Sequence, residues 1–217
     1  MLLDAIVLAG GRSSRLSGEP KAQLLWHGET LLQNTVDAAL HAGARRVVVV
    51  GLDAQVLDAH GRDARIRFTR EDPPFGGPAA AIGAGMRALD EQQSPAADVV
   101  LVLACDMPEV ARAVSALAES LPLAGSDGVL LLDSSGMRQP LAAVYGRPAL
   151  ADAVAGLRAS GTLDGASMRA LVSRLDLQEL TDTAGSTRDV DTWADAADFG
   201  IVNPEHSPST DEQRSRS

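Results

Sequence analysis

Two stretches of this sequence gather residue types that handle phosphate and metal ions. The first is LAGGRSSRLSGEPK, residues 8–21. Its glycine pair, Gly10 and Gly11, lets the backbone turn sharply and present N–H groups to an anion. Arg12, Arg15 and Lys21 follow in the same segment. Backbone donors cradle oxygens and side-chain cations neutralise them, which is what a polyphosphate requires. The segment is not a Walker loop, because no Gly-Lys-Ser/Thr closes it, and Gly-x-Gly-x-x-Gly is absent. The plainer alternative is a strand-to-helix turn with solvated cations. The second stretch is LACDMPE, residues 103–109. A carboxylate directly after a buried apolar run is costly unless paired, solvated or metal-bound. Asp106 has the hard oxygens that magnesium prefers; the alternative is an N-cap for the next helix.

Three further segments carry candidates. In STRDVDTWADA, residues 186–196, Asp189 and Asp191 flank Val190. An extended backbone points them to opposite sides, so one of them could add a metal ligand. The competing reading is the start of a capped last helix. In EDPPFGGPAAAIGAG, residues 71–85, Glu71 and Asp72 could accept hydrogen bonds from a nucleobase or ribose, or be a solvated acidic pair. Gly83 and Gly85 suit close helix-to-sheet packing. RQPLAAVY, residues 138–145, offers Arg138 and Gln139 to a second substrate or to solvent. Cys105 reads as a small buried hydrophobe.

These residues need elements to position them. Apolar β-branched runs predict strands near 4–9, 45–51, 65–69, 98–106, 128–133, 140–145 and 175–180. Helical spacing predicts helices over 29–42, 53–60, 79–90, 107–121, 148–159, 166–174 and 192–199. Strands alternating with helices make a mostly parallel sheet with helices on both faces the economical packing. Ligands of such α/β folds sit at the carboxyl ends of the strands. Gly10 to Lys21, Asp72 and Asp106 all fall there. One domain over 1–202 is expected, with a disordered tail at 203–217 that lacks apolar periodicity.

Composition narrows the function classes. The chain has 217 residues and a formal net charge of −10, which argues against gripping nucleic acid or an anionic membrane by bulk charge. A single cysteine excludes an internal disulfide and a cysteine zinc cluster, and fits a reducing, cytoplasmic setting. The four histidines show no paired ligand spacing. Asp4 interrupts the first apolar run, so the start reads as a strand rather than a signal peptide. No run approaches the ~20 apolar residues of a membrane span. No long apolar helix demands a partner, so a monomer is expected.

Taken in order, LAGG-x-S-x-R…K, GGPAAAIGAG, CDMP, RQPLAAVY and DVDT resemble the nucleotide-sugar-transferase-like nucleotidyltransferases, and most closely the molybdenum cofactor guanylyltransferase family. The resemblance covers about residues 3–202. It implies a Rossmann-like three-layer α/β/α fold and transfer of GMP from Mg-GTP to molybdopterin, releasing pyrophosphate. By position, Leu8, Ala9, Gly10 and Gly11 match the nucleotide-binding backbone, Lys21 the phosphate-binding lysine and Arg15 its companion cation. Asp72 matches the GTP-contacting aspartate and Asp106 the carboxylate that binds Mg²⁺ and nucleotide. Asp191, with Asp189 as alternative, matches the late metal- or product-contacting position. Ser17 stands where the family often has glycine, and Asp189 and Asp191 where it often has asparagine. A cytidylyl relative using CTP, and a non-catalytic nucleotide-binding protein on the same scaffold, are the competing readings.

Overall fold

The computed structural model describes residues 1–10, 16, 20–53, 63–91, 95–120 and 125–201. In chain order its elements are β1 (Leu3–Leu8), a 3₁₀ turn (Lys21–Gln23), β2 (Leu25–Trp26), β3 (Glu29–Thr30), α1 (Leu31–His41), β4 (Val47–Val50), β5 (Ile66–Thr69) and α2 (Gly77–Asp90). There follow β6 (Val99–Ala104), α3 (Val110–Glu119), β7 (Gly128–Leu132), β8 (Arg138–Gly146), α4 (Arg147–Ala159), α5 (Met168–Val172), β9 (Leu177–Thr181) and α6 (Trp193–Asp198). Residues 54–60 of the helix expected over 53–60, and the tail at 203–217, lie outside the described residues.

The main sheet has seven strands in the order β5-β4-β1-β6-β8-β7-β9. β5, β4, β1 and β6 pair in parallel, as do β7 and β9. β8 runs antiparallel to both β6 and β7. The short link between β7 and β8 dictates this, since parallel neighbours need a long crossover. Asp133 shapes that link: its Oδ1 accepts hydrogen bonds from the backbone N–H groups of Ser135 and Met137 at 2.8 and 3.0 Å.

β1 is apolar without alternation because both its faces are covered. Ala5 and Val7 pack in a core with Leu32 and Val36 of α1 and Val110, Val114 and Leu117 of α3. Ile6 and Leu8 pack with Ile82 and Leu89 of α2, Leu150 and Val154 of α4 and Leu171 of α5. The three layers follow from this division. Gly85 is what lets α2 lie close to β1: a Cβ there would stand 2.8 Å from Cγ2 of Ile6.

Asp4 is buried within β1 because it is paired. The Arg46 guanidinium grips its carboxylate, with Nε 3.1 Å from Oδ1, and donates from Nη1 to the carbonyl of Leu89 at 3.0 Å. Arg147 Nη1 adds its charge at 3.6 Å. A third, smaller cluster joins Leu16, Leu24 and Leu31 to Val190, Ala196 and Ile201. It brings the segment after β9 back against Leu16, Leu24 and Leu31.

Candidate active site

The strands end on a cleft of about 680 Å³ at their carboxyl edge. Leu8, Ala9 and Gly10 line it after β1, Gly51 and Leu52 after β4, and Ala104, Cys105 and Asp106 at the end of β6. The backbone ladder continues past the strands. Ala9 N–H donates to Val50 O at 2.9 Å, and Cys105 N–H donates to Leu8 O at 3.1 Å. Gly51 makes this continuation possible. It sits at φ 104°, and a Cβ on it would come within 2.5 Å of the Gly10 Cα.

Lys21 opens its 3₁₀ turn directly after Pro20, whose fixed φ suits a turn start. Its Nζ lies 2.9 Å from Asp106 Oδ2 and 2.5 Å from Asp191 Oδ1. Burial pulls the Lys21 ammonium down, but the charges and hydrogen bonds of the two aspartates outweigh it and leave its pKa raised. The loop that carries Asp106 is held from α1, where Asn34 Nδ2 donates to Pro108 O at 2.7 Å. Asp106 does not cap α3; Glu109 occupies the cap and α3 begins at Val110.

Asp106, Asp189 and Asp191 each place a carboxylate oxygen within 4.8 Å of the others. The expectation that Asp189 and Asp191 point to opposite sides is therefore corrected. Residues 188–191 are not in a strand. Val190 N–H donates to Asp106 O at 2.9 Å, and its side chain is buried in the third cluster. The two flanking carboxylates are thereby gathered toward Asp106. Helix capping in this segment falls to other residues: Thr192 and Asp195 form a reciprocal capping box on α6. Burial raises the Asp189 pKa, and the charges of Asp106 and Asp191 push it the same way. Three mutually repelling carboxylates beside one ammonium form a hard, anionic oxygen set, the donor chemistry that divalent cations such as magnesium take.

Upstream, Asp182 braces this segment. It is buried at the end of β9, and its carboxylate accepts hydrogen bonds from Thr187 N, Thr187 Oγ1, Ser186 Oγ and Ala184 N at 2.8 to 3.1 Å.

The structure thus brings Leu8, Ala9, Gly10, Lys21 and Asp106 to one cleft, with Asp191 bound to the same lysine. Gly11, Arg12 and Arg15 lie outside the described residues. Of the acidic pair after β5, Glu71 lines the cleft, while Asp72 is exposed on the adjoining turn. Arg138 pairs with Glu179 at 2.6 Å and Gln139 donates to Asp133 at 2.7 Å. Their neighbour Leu141 lines the cleft. Cys105 is buried and burial pushes its thiol pKa up, as expected of a packing residue. Gly51 and Leu52 lie in no marked segment, and a glycine directly after the Val47–Val50 run is the signal that points to them; Phe75 and Leu141 fall within the marked segments 71–85 and 138–145.

The MobA-like NTP transferase domain matches residues 5–179. A probable molybdenum cofactor guanylyltransferase from Chloroflexus aggregans is 34% identical over 157 residues, covering 70% of this chain and 69% of that protein. The crystal structure of molybdopterin-guanine dinucleotide biosynthesis protein A from Archaeoglobus fulgidus is similar with a TM-score of 0.61 at 20% identity, over 90% of this chain and 96% of that one. The 2-C-methyl-D-erythritol 4-phosphate cytidylyltransferase of Francisella tularensis is similar with a TM-score of 0.71 at 14% identity, over 92% of this chain and 99% of that one. At such identities the two solved structures speak for the fold, and the family match speaks for descent: the chain belongs to the MobA-like NTP transferase family of nucleotidyltransferases.

Proposed function

We propose that this protein transfers GMP from Mg-GTP to molybdopterin, forming the guanine dinucleotide cofactor and releasing pyrophosphate. The observation that carries the reading is the meeting of Lys21 with Asp106 in the cleft that Gly10 also lines, with Asp191 bound to the same lysine. The relative from Chloroflexus aggregans supplies the acceptor class by its name. A cytoplasmic setting is part of the same proposal and rests on the single, buried cysteine.

In the reaction a phosphate oxygen of the acceptor attacks the α-phosphorus in line and pyrophosphate departs. Both reactants are anions, so neutralising charge is the principal task. Lys21 pairs with the phosphates and takes up the charge that develops on the leaving pyrophosphate. The backbone after β1 orients the triphosphate. Losing one preorganised donor of this kind typically costs about 3–4 kcal/mol in the transition state. Asp106, Asp189 and Asp191 are the residues that would hold Mg²⁺, which when bound polarises phosphate oxygens and shields their charge. The nucleophile is ionised near neutral pH, so no general base is required; among the described residues, no histidine lines the cleft.

The test is pyrophosphate release from the purified protein with Mg²⁺ and molybdopterin, offering GTP or CTP. GTP-dependent release supports the proposal. Release with CTP alone would make this a cytidylyl enzyme of the fold shared with the Francisella tularensis protein. Nucleotide binding without release would leave a non-catalytic binder.

A further inference from the structure

One end of the cleft lies where β1 and β6 stop, at Lys21 and Asp106. The other lies beyond β4 and β5, where Leu52, Pro74, Phe75, Pro78 and Ala81 form an apolar wall flanked by Arg70 and Glu71. β5 and β6 are separated in the sheet by β4 and β1. Three strand spacings amount to about 14 Å, a span comparable to an extended nucleoside triphosphate.

Phe75 stands out on this apolar wall. It is 67% exposed, although it is one of only three phenylalanines in the chain. Its backbone has φ 64°, a region that non-glycine residues seldom occupy. Such an outlier persists only where surrounding structure enforces it, and it tends to mark a functional position. The enforcement is visible. Phe75 N–H donates to Glu71 Oε1 at 3.3 Å, and Gly165 N–H donates to Gly76 O at 2.7 Å. The loop is tied to the segment before α5 on one side and enters α2 on the other.

We propose that Phe75 is the nucleobase platform of the cleft: its ring stacks on the planar base of the nucleoside triphosphate and fixes the base at the end opposite Lys21 and Asp106. An aromatic face attracts a base face through dispersion and burial of both from water, whatever the base. Phe75 is thus a positioning residue that aligns the α-phosphorus by holding the far end of the donor. The inference rests on the nucleotide-transfer reading above and adds the base subsite to it.

The test is calorimetric titration, in Mg²⁺, of wild type, Phe75→Ala and Phe75→Tyr with two probes, GTP and inorganic tripolyphosphate. Phe75→Ala should bind GTP roughly tenfold more weakly, in the range that base–aromatic stacking contributes. It should bind tripolyphosphate as wild type does, and Phe75→Tyr should restore GTP binding. Equal GTP affinity in wild type and Phe75→Ala overturns the platform and leaves the nucleotide reading standing. A parallel loss of tripolyphosphate affinity also overturns it, since the effect would then come from the loop rather than the ring. Failure of wild type to bind GTP at all removes both readings together.

Discussion

Lys21 Nζ lies 2.9 Å from Asp106 Oδ2 and 2.5 Å from Asp191 Oδ1, so one ammonium bridges two of the three carboxylates suited to a divalent ion. Lysine and metal therefore compete for the same oxygens when no nucleotide is present. Lys21→Ala is expected to act with opposite signs on two ligands. Affinity of the protein alone for Mn²⁺, followed by electron paramagnetic resonance, should rise several-fold, while GTP affinity should fall by about tenfold or more, as loss of a charge-assisted hydrogen bond implies. A fall in both would show that Lys21 supports the metal rather than competing with it.

Asp106 is one of the three clustered carboxylates and holds the backbone of Val190 through its carbonyl. Asp106→Ala keeps that carbonyl and removes only the side chain. Turnover should drop by at least 10²–10³, with an unchanged far-ultraviolet circular dichroism spectrum. Mg²⁺-dependent activity near the wild-type level would take Asp106 out of the metal site.

Asp182 gives the acidic segment a dependence on pH. Burial raises its pKa, but hydrogen bonds from Thr187, Ser186 and Ala184 prevail and hold it below the usual carboxylate range. A carboxyl depressed in the folded state stabilises fully above its unfolded pKa of about 3.9. That stability is lost as pH falls through the lower folded value. Asp182→Asn should therefore cost about 1–3 kcal/mol at pH 7. In urea melts, the gap to wild type should close in strongly acidic buffer. A gap independent of pH would mean that the amide fails by shape rather than charge.

Near the amino end of β1, in the middle of the sheet, Asp4→Ala would strand the buried guanidinium of Arg46 without its anion. Breaking a buried pair from one side costs about 3–5 kcal/mol. The melting temperature should drop by many degrees, while GTP affinity measured well below that temperature stays at the wild-type value. A change in affinity would reveal coupling along β1 from one end to the other.

Much of this architecture could be read in the sequence because the two periodicities are clean. Val47–Val50 and Val99–Ala104 are uninterrupted apolar runs, and both are buried strands. Asp106 stood out because a carboxylate directly after such a run is costly without a purpose, and Lys21 because it follows the glycine pair in company with Arg12 and Arg15. The convergence of Asp189 and Asp191 was not legible, because it depends on the hydrogen bond from Val190 N–H to a carbonyl 84 positions away in sequence. The hairpin of β2 and β3 was missed for a local reason. Its strands have two residues each, and its turn is His27-Gly28, both at positive φ, rather than the Asn-Gly pair that announces such turns. Between Glu71 and Asp72, spacing alone gives no preference; the path of the turn decides which one faces the cleft.

The contact of Gly51 with Gly10 bears on how specificity in this protein can change over time. Main chain rests on main chain there, so even an alanine at 51 would force two strands apart. A side chain at that point on the cleft floor meets backbone, whichever substrate selection favours. Among the described residues, drift toward a new base or acceptor is easier at Pro74 and Phe75, exposed positions on the cleft wall where a replacement meets solvent instead.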